Sequence, residues 1–332
     1  MDRDFWSWFM TCLFGSFVLT CFAIVLTEKP LVRSDIFPEK RSKNLDIGEN
    51  LTNDVYLPQN GAFVLLSDSN LSEPYGFYRS SDYLVVADPH RSSGKGYVRF
   101  YDIHAQGMLK EYEDKRYSAK FPAQILEFGQ KQILIDNGSG GSVKIIQDGI
   151  VLSSYEDVND PKDGFFDPEE NLIYIADRGN KRILVLDTNL EVVAEWNPKN
   201  NFEPNGITVG SNGKAYVTDK ISKKVWVFEN GTIVDSFVHI DGTQKFLYPG
   251  GITTDYWGRV YVSDYSADKI YIFSDDGKYK GLIGQDLIND SSFKKPRNLF
   301  FDKNSGRLLV SAGERLTNAG RIWSVPVPLL EE

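Results

Sequence analysis

The chain contains very little cysteine, because Cys12 and Cys21 are the only two among its 332 residues. Both lie in an uncharged stretch near the N-terminus, so residues 28–332 contain no thiol. That absence excludes a disulfide framework and a thiolate metal site from the rest of the chain. Histidine is also scarce, and the three histidines lack the spacing of metal ligands.

The sequence has no excess of basic residues. Its 37 Lys and Arg residues are outnumbered by 46 Asp and Glu, which gives a formal net charge of −9. A nucleic-acid partner needs a basic surface for its phosphates, so we expect none. The chain also lacks a G-x-S-x-G nucleophile motif and a phosphate-binding glycine loop that leads into a helix.

A long apolar run is present at the N-terminus. Residues 5–27 carry no charge, and at about 1.5 Å per residue a helix of this length would cross a bilayer of roughly 30 Å. The same run could be a signal peptide that is cleaved after the small-x-small sequence Cys21-Phe22-Ala23. Residues 1–27 are thus a signal peptide or a membrane anchor. Both alternatives place the rest of the chain in the secretory pathway, as an extracellular, lumenal or membrane-anchored domain.

Residues 28–58 are charged and lack hydrophobic periodicity, which predicts a linker or stalk. Export would make five Asn-x-Ser/Thr sequences candidates for glycosylation. Their asparagines are Asn50, Asn70, Asn137, Asn230 and Asn289.

Beyond the linker the chain repeats one pattern, most clearly over residues 204–231. Hydrophobic residues such as Ile207 and Val209 alternate in short runs, which are separated by turns rich in Gly and Asn. This alternation predicts antiparallel strands. Four of them in about 40 residues predict one blade of a β-propeller.

Six copies of the pattern align on one position in the first strand of each unit. These register marks are Gly76, Gln124, Gly164, Gly206, Gly251 and Asn298. About thirteen residues later the second strand ends, on an acid in five units and on Ser311 in the sixth. We expect the acids to accept N–H bonds from the following turn. The five acids are Asp88, Asp136, Asp177, Asp219 and Asp264.

The sixth unit ends too early to supply its own outermost strand. An apolar run at residues 62–67 precedes the first unit, and we expect it to close the propeller by joining the last blade. The predicted fold is all-β: a six-bladed propeller over residues 59–328 with four antiparallel strands per blade. It follows an N-terminal apolar helix and is followed by a tail at 329–332.

Units 163–190, 204–231 and 249–277 resemble NHL repeats, whose pattern is Pro-x-Gly-Ile, an alternating strand, Asp, a basic residue and a third strand. The resemblance extends over about 61–326 and is looser in units one, two and six. It implies a six-bladed β-propeller. It implies little about activity, because this fold occurs in scaffolds, receptors and enzymes alike.

The loops that lead into the first strands, here called lead-in loops, form one face of a propeller, the lead-in face. Those near 113–122, 239–249 and 284–297 are long, as binding loops often are. On this face, the residue before each register mark should project toward the central channel. The predicted ring consists of Tyr75, Ala123, Asp163, Asn205, Gly250 and Arg297.

Tyr75, Asp163, Asn205 and Arg297 are the candidate ligand-binding residues of this ring. A peptidyl-hydroxyglycine lyase, which this architecture resembles, would place zinc-binding histidines there, and the ring has none. The gluconolactonase, regucalcin and paraoxonase group holds a hard cation on oxygens, which Asp163 and Asn205 could supply. Arg297 could instead face Asp163 across the channel and oppose a cation.

The hypothesis that follows is a non-catalytic, monomeric propeller without a cofactor. It would bind a protein, peptide or small ligand on its lead-in face. The alternative is a hydrolase or lactonase that uses calcium in the channel, held by Asp163 and Asn205. Oxygens that converge on an empty point would favour the enzyme, whereas a direct contact between Asp163 and Arg297 would favour a structural hub.

Overall fold

The computed structural model describes residues 61–67, 71–80, 82–90, 95–102, 108–113, 120–138, 140–198, 201–238, 244–313 and 320–327. The predicted N-terminal helix, linker and tail lie outside the described residues, as do Asn50 and Asn70. None of the helices within these ranges has the length and apolar character needed to cross a membrane.

Within the described ranges, 24 strands form six antiparallel sheets of four strands each. Strand β1 (Phe63–Ser67) comes first in the chain and belongs to the last blade. Blade 1 contains β2 (Phe77–Arg79), β3 (Tyr83–His90), β4 (Lys95–Asp102) and β5 (Met108–Glu113). Blade 2 contains β6 (Pro122–Phe128), β7 (Lys131–Asp136), β8 (Ser142–Gln147) and β9 (Ile150–Tyr155). Blade 3 contains β10 (Pro161–Asp167), β11 (Leu172–Asp177), β12 (Arg182–Asp187) and β13 (Val192–Trp196).

The next two blades follow the same order. Blade 4 contains β14 (Pro204–Val209), β15 (Ala215–Asp219), β16 (Lys224–Glu229) and β17 (Thr232–Phe237). Blade 5 contains β18 (Pro249–Thr254), β19 (Val260–Asp264), β20 (Lys269–Phe273) and β21 (Tyr279–Ile283). A short helix, α1 (Gln285–Ile288), lies in the loop that leads to blade 6. Blade 6 contains β22 (Leu299–Asp302), β23 (Arg307–Ala312), β24 (Arg321–Pro326) and β1.

The first strands of the six blades contact one another in a closed ring, β2-β6-β10-β14-β18-β22, and form the hub. The predicted all-β propeller of six four-stranded blades is therefore confirmed. Strand β1 pairs antiparallel with β24, with Leu66 opposite Ile322. This pairing confirms that the apolar run at 62–67 closes the propeller, which removes an open sheet edge.

The hydrophobic core lies between the blades. Six clusters of buried side chains fill the six interfaces between neighbouring sheets. The cluster between blades 3 and 4, for example, joins Tyr174 and Val185 to Val217 and Phe228. Alternation within each strand produces this arrangement, because every other side chain faces the next blade.

Glycine at the register mark allows the first strands to approach closely. A Cβ atom on Gly206 would lie 2.5 Å from the carbonyl oxygen of Gly250. Second-strand hydroxyls tie the same strands together: Thr218 Oγ1 donates to Gly250 O at 2.6 Å, and Ser263 Oγ donates to Arg297 O at 2.7 Å. Close backbone approach and hydroxyl hydrogen bonds thus hold neighbouring blades together at the hub, so its packing tolerates little added volume.

The predicted role of the second-strand acids is confirmed at Asp136, Asp219 and Asp264, which accept backbone N–H bonds from the turn that follows. Asp264 accepts bonds from Ser266 and Ala267 in the turn that follows, and also from the lead-in loop through the N–H groups of Leu247 and Tyr248. Lead-in bonds of the same kind also reach the other four acids, Asp88, Asp136, Asp177 and Asp219. These carboxylates therefore fix the base of each of these lead-in loops.

The prediction that Ser311 takes the place of the sixth acid is wrong by one residue. Asn298 N donates to Ser311 Oγ at 3.0 Å, just as Gly206 N donates to Thr218 Oγ1 at 2.8 Å. Ser311 thus corresponds to the hydroxyl residue that precedes the acid, and Ala312 occupies the position of the acid.

Candidate functional site: the hub and its lead-in face

Asp163 lies on β10 at the hub, where its side chain is buried. Gln124 Nε2 donates to its Oδ1 at 2.8 Å, and the backbone N–H of Ile207 donates to its Oδ2 at 3.1 Å. Asn298 Nδ2 reaches Oδ1 from blade 6 at 3.4 Å. One carboxylate of blade 3 therefore joins blades 2, 4 and 6 through hydrogen bonds.

Gln124 and Asn298 are the hub partners of Asp163, and the sequence did not predict them. They are the two register marks that are not glycine, and both use their side-chain amides as donors to Asp163. Gln124 Oε1 also accepts the N–H of Ile125 at 2.9 Å, which fixes the orientation of the amide. The sequence signal that could have identified them is the presence of an amide side chain at a position that is glycine in the other four units.

Burial raises the pKa of the Asp163 carboxyl to about 6. The hydrogen bonds from Ile207, Gln124, Gly164 and Asn298 favour the charged form and limit the rise. Because the raised value belongs to the folded state, Asp163 binds a proton more readily there than in the unfolded chain.

The sign of this shift predicts a pH dependence. The stability contributed by protonated Asp163 is fully present below its ordinary pKa of 3.8 and is lost as the pH rises through about 6. Between pH 7.5 and pH 5 we expect the free energy of unfolding of the wild type to gain about 1 kcal/mol relative to an Asp163→Asn variant. Denaturant unfolding at both pH values measures this difference.

The matched control for this experiment is Asp235→Asn, because Asp235 is exposed on β17. Its pH profile should follow that of the wild type. Comparison between variants is needed because other carboxyls, such as Asp160 and Asp276, have lowered pKa values and act in the opposite direction. Parallel profiles for the wild type and Asp163→Asn would contradict the assignment.

Asn205, the second predicted metal ligand, bonds to the neighbouring blade. Its Nδ2 donates to the carbonyl oxygen of Pro249 at 2.9 Å. In the part of the chain that the structure describes, no cluster of three or more His, Cys, Asp or Glu side chains could hold a metal ion. Asp163 and Asn205 both make hydrogen bonds within the protein, and the donors around Asp163 occupy the positions where a cation would need oxygens.

Arg297 and Tyr75 lie together on the lead-in face. The guanidinium carbon of Arg297 is 4.9 Å from the ring centre of Tyr75 and 5.0 Å from that of Tyr265. Its ion-pair partner is Glu73, with Nη2 and Oε1 3.8 Å apart, rather than the predicted Asp163. Asn298, the next residue, reaches Asp163 instead. The part of the channel bounded by Tyr75, Tyr265 and Arg297 is called the channel mouth below.

The other two ring positions are filled by the hub itself. Ala123 is buried, and a Cβ atom on Gly250 would lie 2.8 Å from Ser263 Oγ. A separate polar depression of about 330 Å³ lies on blade 2, where Asp136, Lys144 and Glu156 are among the lining residues. None of the ring residues lines it.

No family model matches the chain, and no curated protein matches it either. Solved structures do. A streptogramin B lyase structure is 14% identical with a TM-score of 0.58, and the match covers 81% of this chain and 97% of that one. A luciferin-regenerating enzyme is 15% identical with a TM-score of 0.59, covering 82% and 97%.

A catalytically inactive virginiamycin B lyase from Staphylococcus aureus, solved with quinupristin, is also similar. It is 14% identical with a TM-score of 0.58, and the match covers 80% of this chain and 99% of the lyase. At this level of identity the likeness extends to the fold and not to the chemistry. The chain is a six-bladed β-propeller.

Proposed function

We propose that this chain is a non-catalytic propeller of the NHL type that binds a protein, peptide or small ligand on its lead-in face. It works as a monomer without a cofactor. Residues 1–27 direct it into the secretory pathway, as a secreted, lumenal or membrane-anchored domain. No nucleic acid is bound, in keeping with a net charge of −9.

The observation that carries this proposal is the use of the Asp163 carboxylate within the hub. Donors from blades 2, 4 and 6 surround its two oxygens. A divalent cation prefers six or more oxygen ligands, and amide N–H groups that point at a carboxylate are not ligands. These contacts favour a structural hub over the alternative, a calcium-dependent hydrolase or lactonase that uses Asp163 and Asn205.

The lead-in face is the surface best suited to binding. Buried carboxylates hold the ends of its loops in place, as Asp264 does by accepting bonds from Leu247 N and Tyr248 N. The turns on the opposite face, such as residues 255–259, are short. Variable loops on a rigid scaffold are the usual place for recognition. Export would also bring Asn137, Asn230 and Asn289 to the glycosylation enzymes of the secretory pathway.

Site-specific photo-crosslinking tests the proposal. Leu247 on a lead-in loop and Trp257 on the opposite face have side chains of similar exposure, 52% and 57%. A photo-reactive residue at 247 in the full-length chain should give adducts, seen as a gel shift for a protein partner or by intact mass for a small ligand. Position 257 is the control. Equal labelling at both positions, or labelling at 257 alone, would refute the proposal.

A further inference from the structure

Arg297 differs from the other arginines whose side chains are described. Each of the other seven donates at least one side-chain hydrogen bond: Arg79, Arg99, Arg178, Arg182, Arg259, Arg307 and Arg321. The guanidinium of Arg297 is 3.8 Å from Glu73, too far for a hydrogen bond, and its Nη2 is buried without a hydrogen-bond partner. Arg297 therefore retains donor capacity that the described residues do not use.

The position of Arg297 is well fixed. Its backbone N–H donates to Ser311 O at 2.8 Å, and its carbonyl accepts from Gly251 N at 2.7 Å. The rings of Tyr75 and Tyr265 hold the guanidinium between them. Its side chain is 11% exposed, and Nη2 itself is buried. Aromatic faces restrain a guanidinium without consuming its N–H donors.

Three other cations, Lys162, Arg178 and Lys295, have closer carboxylate partners than Arg297 has. Lys162 Nζ and Arg178 Nη2 both lie 2.5 Å from oxygens of Asp160, and Lys295 pairs with Asp268 at 3.6 Å. The contact between Arg297 and Glu73, at 3.8 Å, is longer than each of these. The arginine held between the two tyrosines is thus the cation of this face best placed to receive an anion from outside.

We propose that the channel mouth binds the carboxylate of a ligand that also has an apolar or aromatic group, with Arg297 receiving the carboxylate. This inference rests on the proposed function and gives its ligand a chemistry. A planar guanidinium matches a carboxylate in a two-bond geometry, and Glu73 at 3.8 Å from Nη2 does not make such bonds. The rings of Tyr75 and Tyr265 offer apolar surface beside it.

The acidic character of the chain opposes non-specific anion binding. With a net charge of −9, the molecule as a whole repels anions, so any binding must come from local contacts. The carboxylate of Glu73 competes for the same guanidinium. Its removal by Glu73→Gln is therefore expected to strengthen carboxylate binding several-fold.

Thermal unfolding of the full-length chain at constant ionic strength tests the inference with benzoate as the probe. Benzamide, which has the same shape without the charge, and inorganic phosphate are the comparison ligands. We expect millimolar benzoate to raise the Tm by a few degrees, with smaller shifts for the other two. Arg297→Gln should abolish the benzoate shift. Arg259→Gln should keep it, because Arg259 also stacks on an aromatic ring but donates to Asp255 on the opposite face.

Calorimetric titration of Glu73→Gln with benzoate gives a second test that does not depend on the folding of an Arg297 variant. A several-fold tighter Kd supports the inference, and an unchanged Kd overturns it. Three results of the thermal unfolding experiment would also overturn it. They are no Tm shift with benzoate in the wild type, an equal Tm shift in Arg297→Gln, and a Tm shift with phosphate or benzamide as large as that with benzoate. Adducts from position 247 without a benzoate response would remove this inference and leave the proposed function standing.

Discussion

Gly251→Ala is expected to destabilise the propeller by about 3 kcal/mol or more, because the added methyl group has no space. A Cβ atom at this position would lie 2.5 Å from Arg297 O and 2.7 Å from the Cα of Asn298. Both are backbone atoms of the segment that leads into β22, so they cannot rotate away as a side chain could. To make room for the methyl group, blades 5 and 6 would have to move apart. That movement would lengthen the 2.7 Å hydrogen bond from Gly251 N to Arg297 O.

Gly61→Ala is the matched control, since a Cβ atom there would have no atom within 4 Å. Thermal unfolding monitored by circular dichroism should show a Tm lower by roughly 10 °C for Gly251→Ala and nearly unchanged for Gly61→Ala. Close packing of first strands around the hub requires this difference. Equal Tm values for the two variants would show that the hub can expand and would contradict that packing.

Leu66→Asp is expected to cost about 5 kcal/mol and to open the closure between the last and first blades. Leu66 is 3% exposed and packs in the cluster between blades 6 and 1 with Phe77, Leu309 and Ile322. A carboxylate there would be buried among apolar side chains. Strand β1 would then detach from β24 or carry an unpaired buried charge, and either outcome destabilises the ring of blades.

Phe63→Asp on the same strand provides the control. Phe63 is 47% exposed, so the same change of chemistry there should cost less than about 1 kcal/mol. Limited proteolysis, read by mass spectrometry, should release the segment before β2 in Leu66→Asp and not in Phe63→Asp. Similar protease resistance in both variants would mean that β1 is dispensable for closure.

Much of the fold could be predicted because each blade repeats the same local pattern. The predicted register marks of blades 2 to 5 all fall within the first strands of those blades: Gln124 in β6, Gly164 in β10, Gly206 in β14 and Gly251 in β18. Strand β1 could be assigned across the length of the propeller because blade 6 lacked a strand and 62–67 was an unassigned apolar run. Helix α1 was missed, since a single turn within a long loop has no periodic signal.

The contacts of the site were less predictable than its positions. Alignment placed Asp163 and Arg297 at the hub, but it could not say which side chains they meet. Asp163 bonds to Gln124, 39 residues away, and to Asn298, 135 residues away. Such partners depend on how six blades close in space, and a repeat pattern records only what the blades share. The NHL resemblance itself stays a prediction.

The difference between a binding propeller and a metal-dependent enzyme depends on Asp163. Calorimetric titration of the full-length chain with calcium, for the wild type and for Asp163→Asn, tests it most directly. Because donors from three other blades bond to the carboxylate, we expect that no calcium binding depends on Asp163. One calcium ion bound per wild-type chain, and lost in Asp163→Asn, would contradict the account and favour the hydrolase.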